Sequence, residues 1–399
     1  LAVFTRFWNL SFPPRYIFDE VYHSFTAAAY ARNDPVGYEW WHQSPVKGTA
    51  YEWLHPPLAK LFMAAGILLF GDTSFGWRFF SAVFGVGAIF LLYLVGKRIF
   101  NPRVGLLAAF LATLDGLFLT QSRIGMNDIF LVVFILAVVY FLYVFVETAR
   151  PKDFLLTCVF VGLATATKWP GIFLTIPLAF SLGYQLPRQK RPLPWLSHSL
   201  PWIVGSGLVI PALYLVSYGQ WWLQGHTVQQ FIELHKQIWW YQTNLTATHD
   251  YGSKAWTWPL MIRPVWYFVD YSAGGKIGNI YALGNPLIWW NGLAALAVVV
   301  YKAVTDKAVS YKLMTIGYFI FWLPWLFSPR VMFLYHYLPS LTFLILSLAW
   351  FWSTLSERWI RVFFIVSVIL AFLLFYPHWV GTAIPQSYHR FLLWLPSWQ

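Results

Sequence analysis

The sequence predicts an all-α polytopic membrane protein with about eleven transmembrane helices and two long non-cytoplasmic loops. Three observations carry this. Of 399 residues, 59% are hydrophobic and only 11% charged, whereas soluble chains carry about 25% charged residues. Apolar runs of about 20 residues, the length that crosses a bilayer as a helix, recur along the chain. Basic residues concentrate in alternate connections between those runs, as cytoplasmic loops do. The net charge of +12 is therefore read as loop charge and not as a nucleic-acid footprint. The 25 Trp and 23 Tyr suit a membrane–water interface. A single cysteine, Cys158, excludes a disulfide within the chain.

Residues 1–9 read as the end of a first helix that begins upstream, because Leu1-Ala2-Val3-Phe4 is too short to span. Residues 10–74 are too polar and too rich in Pro and Trp to cross, and read as a long loop with surface-lying helices. Spans are expected at about 75–96, 104–120, 127–146, 154–168, 170–186, 198–218, 283–301, 311–328, 331–350 and 359–377. Pro170 either separates the fourth and fifth of these or kinks one helix. The second long loop is 219–282, and 378–399 form an amphipathic tail. This divides the chain into a module over 1–218, the second loop, and a C-terminal region of four helices and a tail over 283–399. The cytoplasmic connections would hold Lys97, Arg98 and Arg103; Arg150 and Lys152; Arg188, Lys190 and Arg191; Lys302, Lys307 and Lys312; Arg358 and Arg361. Both long loops and the C-terminus then lie on the opposite face.

Acidic groups are scarce, 15 in all, so the adjacent pair in Phe18-Asp19-Glu20-Val21-Tyr22-His23 stands out. Neighbours on a helix cannot point the same way, so one can face a reaction centre while the other orients a partner. Desolvation near a bilayer makes a carboxylate a stronger base. The blander alternative is a solvated helix N-terminus. Arg6, Arg78, Arg123, Lys168, Arg263 and Arg330 sit at outer-face helix ends. Together they would suit an anionic phosphate; singly, snorkelling explains them. Asp128 is expected to be an N-cap, and Asp115 to pair with an arginine. His55-Pro56-Pro57-Leu58-Ala59-Lys60 reads as a rigid turn entering a helix. His249-Asp250-Tyr251 marks the second loop, but His235 and His249 have no zinc spacing. Asn244-Leu245-Thr246 is a formal glycosylation sequon. Without a Walker loop, a dinucleotide glycine pattern or a Gly-x-Ser-x-Gly elbow, a nucleotide-driven pump and a serine hydrolase are disfavoured.

Taken in order, these strings resemble the protein O-mannosyltransferases, a family of GT-C membrane glycosyltransferases. The resemblance rests on Phe18-Asp19-Glu20-Val21, His55 to Lys60, Trp77-Arg78-Phe79, Leu114-Asp115-Gly116, Gln121 to Met126 and Thr167-Lys168-Trp169. It continues in Tyr251 to Pro259, Gly284-Asn285-Pro286 and Arg330 to Pro339. It implies inverting transfer of mannose from polyprenyl-phosphate mannose to a Ser or Thr hydroxyl of an exported protein. It also implies a catalytic pair, Asp19 and Glu20, with Asp19 as base. Arg6, Arg78, Asp115, Arg123, Lys168, His249, Tyr251, Arg330 and His336 become the expected substrate-binding set. The second loop is too short for the β-trefoil domain of eukaryotic members, which points to a bacterial type in the plasma membrane. Ala59 replaces the family's usual glycine. Abundant cations and the lack of an Asp-x-Asp motif predict a reaction without metal or other cofactor. The expected partners are the lipid-linked donor, the acceptor protein, the bilayer and the export machinery, with no nucleic acid. The alternatives are another GT-C transferase acting on a lipid or glycan, and a lipid-linked sugar transporter, which would place ionisable residues at mid-membrane.

Overall fold

A computed structural model describes residues 1–188, 192–271, 274–306 and 308–399, with the side chains of 192–196 excepted. Lys190, Arg191 and Lys307, three of the loop cations named above, lie outside the described residues. The first half is helical: α1 (Ala2–Phe7), α2 (His23–Ala31), α3 (Leu58–Phe70), α4 (Ser74–Ile99), α5 (Pro102–Thr113), α6 (Gly116–Gln121), α7 (Asp128–Thr148), α8 (Pro151–Thr167), α9 (Thr175–Gln185) and α10 (Pro192–Ser217). After α11 (Gly219–Leu223) and α12 (Val228–Asn244) come β1 (Val265–Asp270) and β2 (Lys276–Ala282). Helices α13 (Pro286–Thr305), α14 (Val309–Trp322), α15 (Leu338–Thr354), α16 (Arg358–Phe375) and α17 (Pro377–Val380), strand β3 (Ile384–Pro385) and α18 (Gln386–Leu392) complete the chain.

Among the described residues, six helices are long and apolar enough to cross a membrane: 74–99, 128–148, 197–217, 286–305, 334–354 and 358–375. The eleven-span expectation counted runs that the structure divides. The run 104–120 breaks at Asp115, whose carboxylate caps α6 through the Phe118 amide. The pair on either side of Pro170 is broken as well: α8 stops at Thr167, and a 3₁₀ turn, Trp169–Leu174, leads into α9. α4 packs on α3, α5 and α7, α7 on α8, α8 on α10, and α15 on α5, α13 and α14. Large apolar side chains stay exposed on α10 (Leu200, Val204, Leu208, Val216) and α16 (Phe363, Val366, Leu370, Leu373). Such outward apolar faces suit lipid, and the chain is a multi-pass membrane protein.

The all-α expectation needs one correction. The second long loop holds an antiparallel hairpin, because Val265–Asp270 is a run of β-branched and aromatic residues. Gly274 and Gly275, at φ 44° and 75°, precede β2. Strand β3 in the tail pairs antiparallel with β2, Lys276 opposite Pro385 and Ile277 opposite Ile384. The tail is therefore part of the folded body. Trp379 in α17 lies against Gly116, where an added Cβ would come within 1.9 Å of the indole.

Candidate active site

The acidic pair sits on a 3₁₀ turn, Phe18–Val21, entered through Phe18 at φ 45°. Successive side chains on such a turn diverge by about 120°, and the two carboxylates separate accordingly. Glu20 points inward and is fully buried. It receives Arg78 Nε at 2.7 Å and Arg78 Nη2 at 2.7 Å, the Ile17 amide at 3.0 Å and the Gly125 amide at 2.9 Å. Arg78 also donates to the carbonyls of Leu10, Pro13 and Arg15. The pair thus pins the first loop to α4 and to the 122–127 connection. Gly125 leaves room for Ser24 there, since an added Cβ would lie 2.0 Å from its Oγ.

Asp19 turns the other way, into a chamber of about 300 Å³. Tyr335 Oη donates to its Oδ2 at 3.0 Å. Burial raises the Asp19 pKa above the ordinary carboxylate value; His23, the Tyr335 hydroxyl and Lys168 pull against this, and Asp128 adds to it. The chamber wall also carries Glu52, His55, Asp128, Lys168, Arg330 and His336. Lys168 Nζ binds Asp128 Oδ1 at 2.9 Å. Glu52 Oε2 accepts from Lys60 Nζ at 2.5 Å, and Glu52 Oε1 lies 2.7 Å from His55 Nδ1. Burial pushes the Glu52 pKa up, but Lys60 and His55 outweigh it and hold the carboxyl well below its usual range. Burial lowers the His55 pKa to about 4. An ionised carboxylate only accepts, so Nδ1 of the neutral imidazole carries the proton and Nε2 keeps a lone pair.

Against the chamber lies a groove of about 700 Å³, walled mainly by apolar and aromatic residues such as Trp169, Phe173, Ile210, Tyr214 and Trp325. Leu54, His55, Lys168 and Arg330 line both spaces. Arg330 donates to Gln242 through Nη1, while its buried Nε has no partner. Among the described residues no carboxylate lies within ion-pairing distance of it. An ammonium and a guanidinium that no carboxylate neutralises among the described residues therefore mark the boundary between a lipid-like groove and a polar chamber with a carboxylate.

The structure redistributes the expected cation cluster. Arg6 donates to the carbonyls of Thr113 and Ala112, and Arg123 to those of Thr5, Arg6, Trp8 and Asn9. Arg263 holds the Asp250, Ser397 and Gln399 carbonyls. With Arg78 committed to Glu20, only Lys168 and Arg330 of the six line the chamber. Among the described residues, Asp115 meets no arginine within ion-pairing distance. Its carboxylate accepts from the amides of Phe118 and Asn285 and from Trp289 Nε1 at 2.8 Å, latching the two halves of the chain. Asp128 is not the N-cap, a position that Asn127 takes; it is the ion-pair partner of Lys168. His249 and Tyr251 lie outside the chamber wall. The His249 ring packs on Phe18 and Phe333, and Tyr251 lies beneath Arg263. His336 lines the chamber between Tyr335 and Trp258, its Nδ1 3.0 Å from the Phe333 carbonyl. Sequence reasoning missed Glu52 and Tyr335. Glu52 had a signal, an acid spaced three and eight residues before His55 and Lys60; Tyr335 carried none of its own.

Residues 54–218 match the family described as dolichyl-phosphate-mannose-protein mannosyltransferase, and residues 227–398 match the C-terminal four-transmembrane region of protein O-mannosyltransferase. The polyprenol-phosphate-mannose–protein mannosyltransferase of Mycolicibacterium smegmatis is 27% identical, over 100% of this chain and 91% of the relative. That of Mycobacterium tuberculosis is also 27% identical, over 100% and 90%. In fold, the chain is similar to the Saccharomyces cerevisiae Pmt1-Pmt2 complex bound to its sugar donor, with a TM-score of 0.82 at 17% identity, covering 100% of this chain and 91% of the other. It is also similar to ArnT of Cupriavidus metallidurans bound to undecaprenyl phosphate, with a TM-score of 0.61 at 15% identity, covering 93% and 62%. With both halves matched in order and the fold shared, the chain belongs to the protein O-mannosyltransferase family of GT-C membrane glycosyltransferases.

Proposed function

We propose that this chain transfers mannose, with inversion, from polyprenyl-phosphate mannose to Ser or Thr hydroxyls of exported proteins. The observation that carries the reading is the shared wall. A lipid-sized apolar groove and a chamber holding Asp19 meet at Lys168 and Arg330. The prenyl chain occupies the groove, the phosphate rests at the two cations, and the sugar projects toward Asp19. The acceptor hydroxyl gives its proton to Asp19 Oδ1 while its oxygen bonds to C1 of the sugar. The bond between C1 and the phosphate oxygen breaks, and polyprenyl phosphate leaves with the electron pair. A Ser or Thr hydroxyl needs this base because it is a poor nucleophile when neutral. Lys168 and Arg330 stabilise the charge that grows on the leaving phosphate. Tyr335 holds the Asp19 carboxylate in place, and Glu20 with Arg78 holds the turn that carries it.

In this reading the cations meet the leaving group, so the reaction proceeds without a metal. The chamber opens on the non-cytoplasmic face of the plasma membrane, because the basic connections lie at the opposite helix ends. A lipid-linked donor and an unfolded acceptor emerging from the export machinery would meet there. The test is transfer from synthetic polyprenyl-phosphate mannose to a Ser/Thr peptide in membranes. Asp19→Asn should lower turnover by about 10²–10⁴-fold while donor binding persists. Normal turnover by that variant would remove Asp19 as the base.

A further inference from the structure

We propose a second lipid site at the far end of the helices, one that holds an anionic glycerophospholipid of the opposite leaflet. A cavity of about 490 Å³ lies between α5, the end of α15 and the start of α16. Arg103, Arg358 and Arg361 ring its mouth. Its walls are apolar: Leu106, Leu107 and Phe110 on one side, Val362 and Ile365 on the other. Trp352 and Phe364 stack at 4.0 Å to form its floor. Arg358 and Arg361 are three residues apart, so both guanidinium groups leave the same face of α16.

The three arginines are uncommitted. Among the described residues none of them has a carboxylate within ion-pairing distance. The Arg361 Nε is buried without any hydrogen-bond partner. Glu357, the acid beside them in sequence, is bound to the Ser356 hydroxyl. Arg98 on the same side offers a contrast, since it is exposed and already paired with Glu147. A buried guanidinium nitrogen left open beside an apolar cleft is costly unless an anion completes it.

The occupant must combine an anion with an apolar body. An anionic phospholipid headgroup fits the arginines, and its acyl chains continue over the exposed Leu106 and along α16, whose outward residues are themselves apolar. The site is separate from the chamber. Arg78, which holds the turn carrying Asp19, and Lys97, whose backbone packs against Gly105 two residues from Arg103, lie 19 residues apart on α4, so the two ends of that helix are about 30 Å apart. This is one bilayer thickness, which places the arginines in the other leaflet.

The test uses the full chain in detergent, titrated with dioleoyl phosphatidylglycerol or with dioleoyl phosphatidylcholine, and counts retained lipids by native mass spectrometry. One phosphatidylglycerol should be held in preference to phosphatidylcholine. The double variant Arg358→Gln/Arg361→Gln should weaken that retention by about tenfold or more, as expected for lost charge-assisted contacts. Arg98→Gln should leave it unchanged. If the double variant fails to fold, Arg103→Gln alone should still weaken retention and Arg361→Lys should largely preserve it. Equal retention of both lipids, retention unaffected by the arginine changes, or displacement of phosphatidylglycerol by equimolar polyprenyl phosphate would each overturn the proposal.

Discussion

Glu20 and Asp19 are adjacent carboxylates with opposite expected phenotypes. Glu20→Gln keeps the size of the side chain and removes its charge. The carboxylate accepts from four N–H groups, two on Arg78 and two in the backbone. A glutamine has one acceptor oxygen, and its amide nitrogen would face donors. Arg78 would then be buried without a counter-charge, a situation that costs about 3–5 kcal/mol. The Leu10, Pro13 and Arg15 carbonyls still receive Arg78, so the lower end, about 3 kcal/mol, applies. Thermal unfolding in detergent, followed by tryptophan fluorescence, should show a clear drop in Tm for Glu20→Gln and little change for Asp19→Asn. Turnover per folded molecule should show the reverse ranking. A Glu20→Gln protein as stable as the parent, yet as inactive as Asp19→Asn, would refute the division of labour and make Glu20 a chemical group.

Five further outcomes follow from the structure. Asp19 must be ionised to act as base, and its pKa is raised by burial, so activity is lost as pH falls through that raised value; the acid limb of kcat/KM should lie above the ordinary carboxylate range. Tyr335→Phe removes a hydrogen bond that favours the ionised form, so the limb should move to still higher pH. Arg330→Gln should raise KM for the donor and reduce kcat by about 10²–10³-fold, as for other charge-stabilising donors, measured with saturating acceptor peptide. A chelator should leave transfer unchanged; activity lost and then restored by a divalent cation would contradict the role given to Lys168 and Arg330. Gly116→Ala should destabilise the fold by about 1–3 kcal/mol through overpacking against Trp379, read as a lower Tm with unaltered KM.

Much of this was legible in the residues because acids are rare here. In a chain so apolar, two adjacent carboxylates need a reason to exist; the structure gives Glu20 an ion pair with Arg78 and turns Asp19 into the chamber. The fate of the arginines was not legible. Arg6 is held through its two Nη groups by carbonyls more than 100 residues away, and Asp115 by Asn285 and Trp289. Such satisfaction depends on tertiary placement, which hydropathy does not encode. The same holds for the broken spans. Hydropathy reads straight through Asp115, although an Asp-Gly pair inside an apolar run is a local signal for a new helix start. The hairpin was hidden by a different bias. Val265–Asp270 has strand composition, but a long aromatic segment between spans reads first as an interfacial loop.

Lys168 and Arg330 belong to both compartments, and this has a kinetic corollary. If the donor sits as proposed, fresh and spent carrier would pass through the groove while the polypeptide would use the wet side. Neither must vacate for the other to be exchanged. On that arrangement a strand with several neighbouring Ser or Thr residues would stay in place while one prenyl carrier after another is swapped behind it, so clustered decoration would require no release between sugars.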